Sequence, residues 1–337
     1  MAAAVRLSGR IRAYHRPVTR SDDLRFRAGD LSLAATLTLP DGEGRLPWAL
    51  LVPSWLPRNR DGAWDRQRHA GWFAPSGGPT GPPGPLARLA DALAECGVAS
   101  LRYDPRGCGE SDGDWEASDL FSRIDDARDA IGAMRSRREL DLRRTAIIGH
   151  GEGAAIALSV AIGDPAIGAV GLVGASARSF RDVLRRGVAE RSRTGTDLDQ
   201  PAVAALDRAS EELIERADRR EAEIALGIGD DGVALALAAW DQAFHTPPLA
   251  LATMLHRNVV LMHGTADAWA DADESRLLDA VLTDAGNEPV LQLVDSAGHD
   301  LAGAADEVFA EFADAVVTRM QPRELPPVLV AIEEMGS

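Results

Sequence analysis

Thr145-Ala-Ile-Ile-Gly-His-Gly-Glu-Gly-Ala-Ala-Ile-Ala-Leu158 is the stretch on which the fold turns. Its first four residues form an apolar run of the kind that becomes a buried strand, and its last six are small and apolar, suited to a tightly packed helix. Between them stands Gly149-His150-Gly151-Glu152-Gly153, the frame of a strained strand–turn–helix elbow, G-x-S-x-G. In such an elbow the central residue stands above the sheet, and the flanking glycines are needed because a Cβ would strike the neighbouring strand and helix. Here the frame is complete, but its centre is Gly151 rather than a nucleophilic serine.

Outward from the elbow, short apolar runs alternate with helical periods, the pattern of a parallel sheet covered on both faces. Strands are expected at 49–54, 98–104, 145–150, 167–175, 259–263 and 290–294. Helices are expected at 86–95, 120–137, 153–162, 273–285 and 304–320. An antiparallel pair, 24–27 and 31–39, opens the chain around Ala28-Gly29-Asp30. The fold class is thus α/β: a mostly parallel central sheet flanked by helices.

Two stretches interrupt the alternation. Residues 55–85 form a loop rich in Gly, Pro, Arg and Trp, long enough to imply a function or mobility. Its Arg58, Arg60, Arg66, Arg68 and His69 read either as a solvated basic loop or as a clamp for a substrate anion. Residues 177–256 read as several charged helices with a break at 227–232, inserted after the sixth strand as a helical cap. Three segments follow: a first core part, 1–176; the cap, 177–256; and a second core part, 257–337.

Bulk properties narrow the function classes. With 52 acidic against 36 basic side chains, a net charge of −16 repels nucleic-acid phosphates and anionic membrane surfaces, so a small-molecule substrate is expected. No apolar run of signal-peptide length opens the chain and no 18-residue apolar stretch follows, which fits a cytoplasmic protein. Cys96 and Cys108 are too few for a disulfide framework or a metal cluster, and Cys108 reads as a small packing residue. No cofactor motif or metal-ligand spacing is present, so no cofactor is expected.

Three further segments carry chemistry. Upstream of the elbow stands Arg102-Tyr-Asp104-Pro-Arg106-Gly107-Cys108-Gly109-Glu-Ser111. Downstream, Val259-Val-Leu-Met-His-Gly264-Thr-Ala-Asp267 ends a strand on a G-x-x-D acid, and Leu293-Val-Asp-Ser-Ala-Gly298-His299-Asp300 ends one on a Gly-His pair. Together with the elbow, these segments resemble the α/β-hydrolase family, in the branch of serine esterases and aminopeptidase-like hydrolases. The resemblance spans about 31–320, with the cap region unmatched. It implies an acid, Asp267, orienting a histidine, His299, in the order nucleophile–acid–histidine. It also implies that Arg106 and Ser111 brace their loop.

Two departures change the chemistry the resemblance implies. Gly151 removes the acyl-enzyme route at the elbow. The oxyanion-loop motif H-G-x-G is replaced by Val52-Pro53-Ser54-Trp55, and Pro53 has no N–H to donate. The donors left are the N–H groups of Trp55 and Glu152, the latter at the start of the elbow helix. Gly151, Glu152, Trp55, Ser54 and His150 are therefore candidate substrate-binding positions. Ser54 also offers a hydroxyl for a replacement nucleophile, whereas elbow geometry usually turns the residue before the centre, His150, away from the site. Ser176 reads as a loop cap.

With no serine to deprotonate, His299 is expected to act as a general base on substrate or water. The leading expectation is a lyase: His299 removes an acidic C–H and a carboxylate such as acetate leaves from an acylated natural-product intermediate. Resemblance to acetate-eliminating α/β-hydrolase-like enzymes of tetronate polyketide biosynthesis supports this. The alternatives are hydrolysis by His299-activated water and a non-catalytic small-molecule-binding pseudoenzyme.

Overall fold

The computed structural model describes residues 19–54, 57–65, 67–69, 84–115, 117–183 and 247–325, together with 185, 186, 189, 211, 215, 223–227, 232–236, 327, 329 and 330. The chain opens with β1 (Thr19–Ala28) and β2 (Leu31–Pro40), an antiparallel pair closed by a two-residue turn in which Gly29 takes a φ of +58°. Then follow β3 (Leu46–Val52), α1 (Pro85–Glu95), β4 (Ala99–Tyr103), α2 (Leu120–Met134), β5 (Leu140–His150), α3 (Gly153–Gly163) and β6 (Ile167–Val173). Beyond the insertion come α4 (Pro248–Ala252), β9 (Asn258–Gly264), α5 (Ala272–Asp284), β10 (Val290–Val294) and α6 (Asp306–Arg319).

Eight strands form one sheet in the order β1-β2-β4-β3-β5-β6-β9-β10. β2 pairs antiparallel with both β1 and β4, and every other pairing is parallel. The two-residue period of β3 shows why such a sheet needs helices on both sides. Trp48, Leu50 and Val52 enter one core layer with residues of α2 and α3, while Ala49 and Leu51 enter the opposite layer with α1 and α6. Strand β5 extends back to Leu140, five residues before the expected start. The architecture is the one the family resemblance implies. No helix among the described residues is long and apolar enough to cross a membrane.

The insertion departs from expectation where it is described. The expected break at 227–232 joins β7 (Glu223–Gly227) and β8 (Gly232–Ala236), an antiparallel hairpin with Gly227 opposite Gly232 and a sheet of its own. Ile224, Leu226, Val233 and Leu235 alternate with period two between glycines, which favours paired strands over charged helices there. Most of the remaining insertion, and with it the expected helical cap, lies outside the described residues.

Candidate functional site

The elbow forms as its glycines require. A Cβ on Gly149 would lie 2.1 Å from Gly153 O, and one on Gly153 would lie 2.4 Å from Val52 O. Neither position has room for a side chain. Gly151 takes a φ of +57° and donates its N–H to Val173 O at 2.8 Å. A Cβ built there would meet Ser54 Oγ at 2.6 Å and His299 Nε2 at 3.0 Å. The hydroxyl at the end of β3 and the imidazole have thus closed around the position an elbow serine would fill.

The acid and the histidine come from the ends of neighbouring strands. Turns after β9 and β10 are knitted together by Thr265 N–H on Val294 O and Ala266 N–H on Ala297 O, both 2.9 Å. This brings His299 Nδ1 to 2.8 Å from Asp267 Oδ2. The other carboxylate oxygen, Oδ1, accepts from the N–H groups of Trp269 at 2.7 Å and Ala270 at 3.0 Å, and His263 Nε2 stands 3.2 Å from Oδ2. Burial alone would raise the Asp267 pKa, yet the His299 charge and the hydrogen bonds from His263 and His299 hold it well below the carboxylate range. For His299, burial disfavours the imidazolium, but the charge and hydrogen bond of Asp267, aided by Asp300, outweigh it and raise the pKa. Asp267 therefore holds the ring and fixes which nitrogen faces Gly151.

His299 faces a pocket that is open to solvent. Ser54, Gly151, Glu152 and His299 line it, so four of the expected site residues meet on one wall. The sequence reading missed the apolar remainder, chiefly Leu120, Phe180 and Trp269, because helix starts and an insertion have no periodic signature of pocket lining. Ser176, expected as a loop cap, also lines it, and its hydroxyl lies 3.3 Å from both Arg178 O and Glu274 Oε2. Trp55 lies outside the described residues.

Glu152, expected here for its N–H, also brings a buried carboxyl to the pocket lining. Its side chain is only 9% exposed, Oε2 is buried without a hydrogen-bond partner, and Arg123 Nη1 stands 3.9 Å away. Burial raises its pKa to about 7 against the pull of Arg123. It is a carboxyl able to be neutral near physiological pH.

His150, expected among the substrate contacts, is behind the site instead. It is fully buried, its ring lies 4.8 Å from the His299 ring, and its Nε2 is 3.1 Å from His299 O. The elbow turn sends alternate side chains to opposite sides, so the residue before the centre enters the core. Burial, reinforced by the neighbouring His299 and Arg58 charges, lowers its pKa to about 3.

Where it is described, the basic loop turns its cations onto the protein's own acceptors, with Arg68 still exposed. Arg58 is 1% exposed, lies over the Trp64 ring at 3.8 Å and reaches Asp300 Oδ1 at 2.8 Å. Arg60 binds Asp104 and Glu110, Arg68 donates to Gly109 O and Ser111 O, and His69 Nε2 lies 2.9 Å from Gly107 O. In so acidic a chain, carboxylates and carbonyls nearby capture these cations. Arg66 lies outside the described residues. Arg106 pairs with Asp126, and the Ser111 hydroxyl donates to Asp104 O at 2.7 Å while accepting from Ala34 N–H.

Among the described residues, two groups of three potential ligand residues are close enough for an ion, Asp65–His69–Cys108 and His150–His299–Asp300. Neither suits one. Asp65 accepts from Gly109 N–H at 2.7 Å, His69 is on a carbonyl, and burial pushes the Cys108 thiol up to about 12. In the second group the Arg58 guanidinium already occupies the cation position beside Asp300.

Comparison with known proteins agrees with this architecture. The family described as serine aminopeptidase, S33 (Hydrolase_4), matches residues 83–198. Est1E from Butyrivibrio proteoclasticus, solved with ferulic acid bound, superposes with a TM-score of 0.60 at 15% identity, over 88% of this chain and 99% of that one. GrgF from Penicillium sp. sh18, an alpha/beta hydrolase, gives 0.60 at 17% identity over 89% and 99%. DcsB, solved in complex with its substrate analogue, gives 0.60 at 13% identity, also over 89% and 99%. No curated protein matches the sequence significantly. Sheet order, motif order and these superpositions together make the chain a protein of the α/β-hydrolase fold, a variant with glycine at the centre of its elbow.

Proposed function

We propose that this protein is an enzyme in which His299, oriented by Asp267, is a general base acting on an acylated small molecule, and that the reaction is elimination of a carboxylate. The observation that carries the reading is the placement of His299 Nε2 at the pocket wall, 3.0 Å from where a Cβ at 151 would stand, with Nδ1 held by Asp267. The base therefore faces substrate rather than a serine hydroxyl on the elbow. A positioned base contributes roughly 10²–10⁴-fold in rate. Substrate C–H is the simplest proton source in a pocket whose walls are largely apolar. Negative charge developing on the substrate would lie near the start of α3, where the helix N-terminus favours it. An acyloxy group such as acetate, on a natural-product intermediate such as a tetronate, is the leaving group proposed.

The second reading is hydrolysis by water activated on His299, favoured by the esterases among the structural neighbours. Incubation with an acetylated tetronate separates the two: elimination releases acetate with an alkene, and hydrolysis releases acetate with an alcohol. Alkene formation is expected, and alcohol as the sole product would overturn the first reading.

A further inference from the structure

A base alone leaves the departing oxygen unattended, and the pocket offers a group for it. We propose that Glu152 is the general acid of this site, handing a proton to the leaving acyloxy oxygen as His299 removes one from the substrate. The inference rests on the reading of His299 as the base.

Geometry supports it. Glu152 follows the vacant centre directly, and both it and His299 line the pocket beside Gly151. Its carboxyl is nine-tenths buried, and Oε2 accepts no hydrogen bond from the protein. A carboxylate held this way lacks the donors that normally compensate for burial, whereas a protonated carboxyl carries an O–H to direct at a substrate acceptor. The charge acting on it is Arg123 on α2 at 3.9 Å; His299 and Arg178, the latter paired with Glu274, line the same pocket. Burial outweighs Arg123 and raises the Glu152 pKa to about 7, so the donor form is populated at neutral pH. Leu120, Ala155, Phe180, Val183, Pro248 and Trp269 make the surroundings apolar. A carboxylate formed there would be poorly solvated, and protonating it on departure removes that cost.

The step balances. The C–H electron pair forms the new C=C bond as His299 takes the proton, the C–O bond breaks with its pair on oxygen, and the Glu152 proton joins that oxygen. An alkene and a neutral carboxylic acid leave. His299 then releases its proton to solvent and Glu152 takes one back.

The test uses the whole 337-residue chain and a series of tetronate esters, the acetate, chloroacetate and trifluoroacetate, with alkene formation as readout. For Glu152→Gln, kcat/KM on the acetate should fall at least about a hundredfold. The loss should shrink as the leaving acid strengthens, because a better leaving group needs less protonation. On the chloroacetate, the wild-type decline in rate above neutral pH should be absent in the variant. An equal loss across the series would mean that Glu152 merely packs against Arg123, and no loss would remove it from the chemistry; either overturns the assignment while leaving His299 as the base. If the wild-type protein converts none of the esters to alkene, the elimination reading falls and this assignment falls with it.

Discussion

Two histidine rings lie 4.8 Å apart in this molecule, tilted by 41°, and their surroundings drive them in opposite directions. His299, at the end of the β10 loop, meets the Asp267 carboxylate and is stabilised as a cation. His150, at the end of β5, is enclosed by core, the Arg58 guanidinium and the other imidazole, and is held neutral with a pKa of about 3. Residue type is the same; burial and partner differ, since His299 keeps 12% exposure and is hydrogen-bonded to Asp267, whereas the carboxylate 3.7 Å from His150, that of Asp300, is held by Arg58. A buried histidine is a proton-transfer group only where a carboxylate compensates for lost solvation, and elsewhere it is a polar core residue.

The sharpest way to break the contrast is His299→Ala, for which turnover should fall by roughly 10²–10⁴-fold with the melting temperature little changed. Steady-state rates and calorimetry on the same sample test this, and a comparable loss from His150→Gln would erase the distinction. In the wild-type protein the base must be neutral, so activity should fall as pH drops through a midpoint above the ordinary histidine value of about 6.5. Asp267→Asn should move that midpoint down as well as lowering the rate.

Arg58→Met exchanges the cation beside His150 for an apolar chain of similar length. It leaves Asp300 without its guanidinium, and because Asp300 keeps 30% exposure the expected loss is about 2–3 kcal/mol, below the value for a fully buried pair. Denaturant unfolding measures this; a neutral result would mean that the Arg58–Asp300 pair does not support the floor beneath His299.

Gly151→Ser probes the space between imidazole and elbow. A Cβ there meets Ser54 Oγ and His299 Nε2, at a φ that disfavours side chains, so stability should fall by about 1–3 kcal/mol and elimination should slow. Adding Ser54→Gly removes one collision and should recover part of both, with weak hydrolysis of 4-nitrophenyl acetate appearing. Faster elimination in the single variant would mean that the site is not shaped around glycine.

The smallest effect is on stability against pH. Between about 3 and 6.5 the unfolded chain protonates His150 and the folded chain does not, so this residue makes stability fall as pH drops through 6.5. His299 acts in the opposite sense, contributing stability below its unfolded pKa that is lost as pH rises through the folded one. His150→Gln should therefore flatten the decline in melting temperature between pH 7 and pH 5, and an unchanged slope would place the acid sensitivity elsewhere.

What could be read from residues alone was whatever local pattern encodes. The runs at 167–175 and 290–294 became β6 and β10, and the elbow glycines announced a contact that no side chain survives, because period and steric exclusion are properties of a few neighbouring residues. The Asp267–His299 pair was legible through the resemblance of its two segments to the α/β-hydrolase family. Partnership across the fold was not. Arg58 read equally as solvated or as a substrate clamp until Asp300 and Trp64 were seen beside it, and His150 was counted among the substrate contacts although the elbow turns that position inward.

Sequence by itself determined the doubly covered sheet, the vacant elbow and the existence of an acid and a histidine. Tertiary structure alone decided that Ser54 moves into the vacancy, that Glu152 is buried without a donor, and which of two histidines a carboxylate charges. The reason is electrostatic and steric: pKa and cavity shape depend on groups up to 149 residues apart in the chain, as His150 and His299 are, and distance along a sequence says nothing about distance in a low-dielectric core.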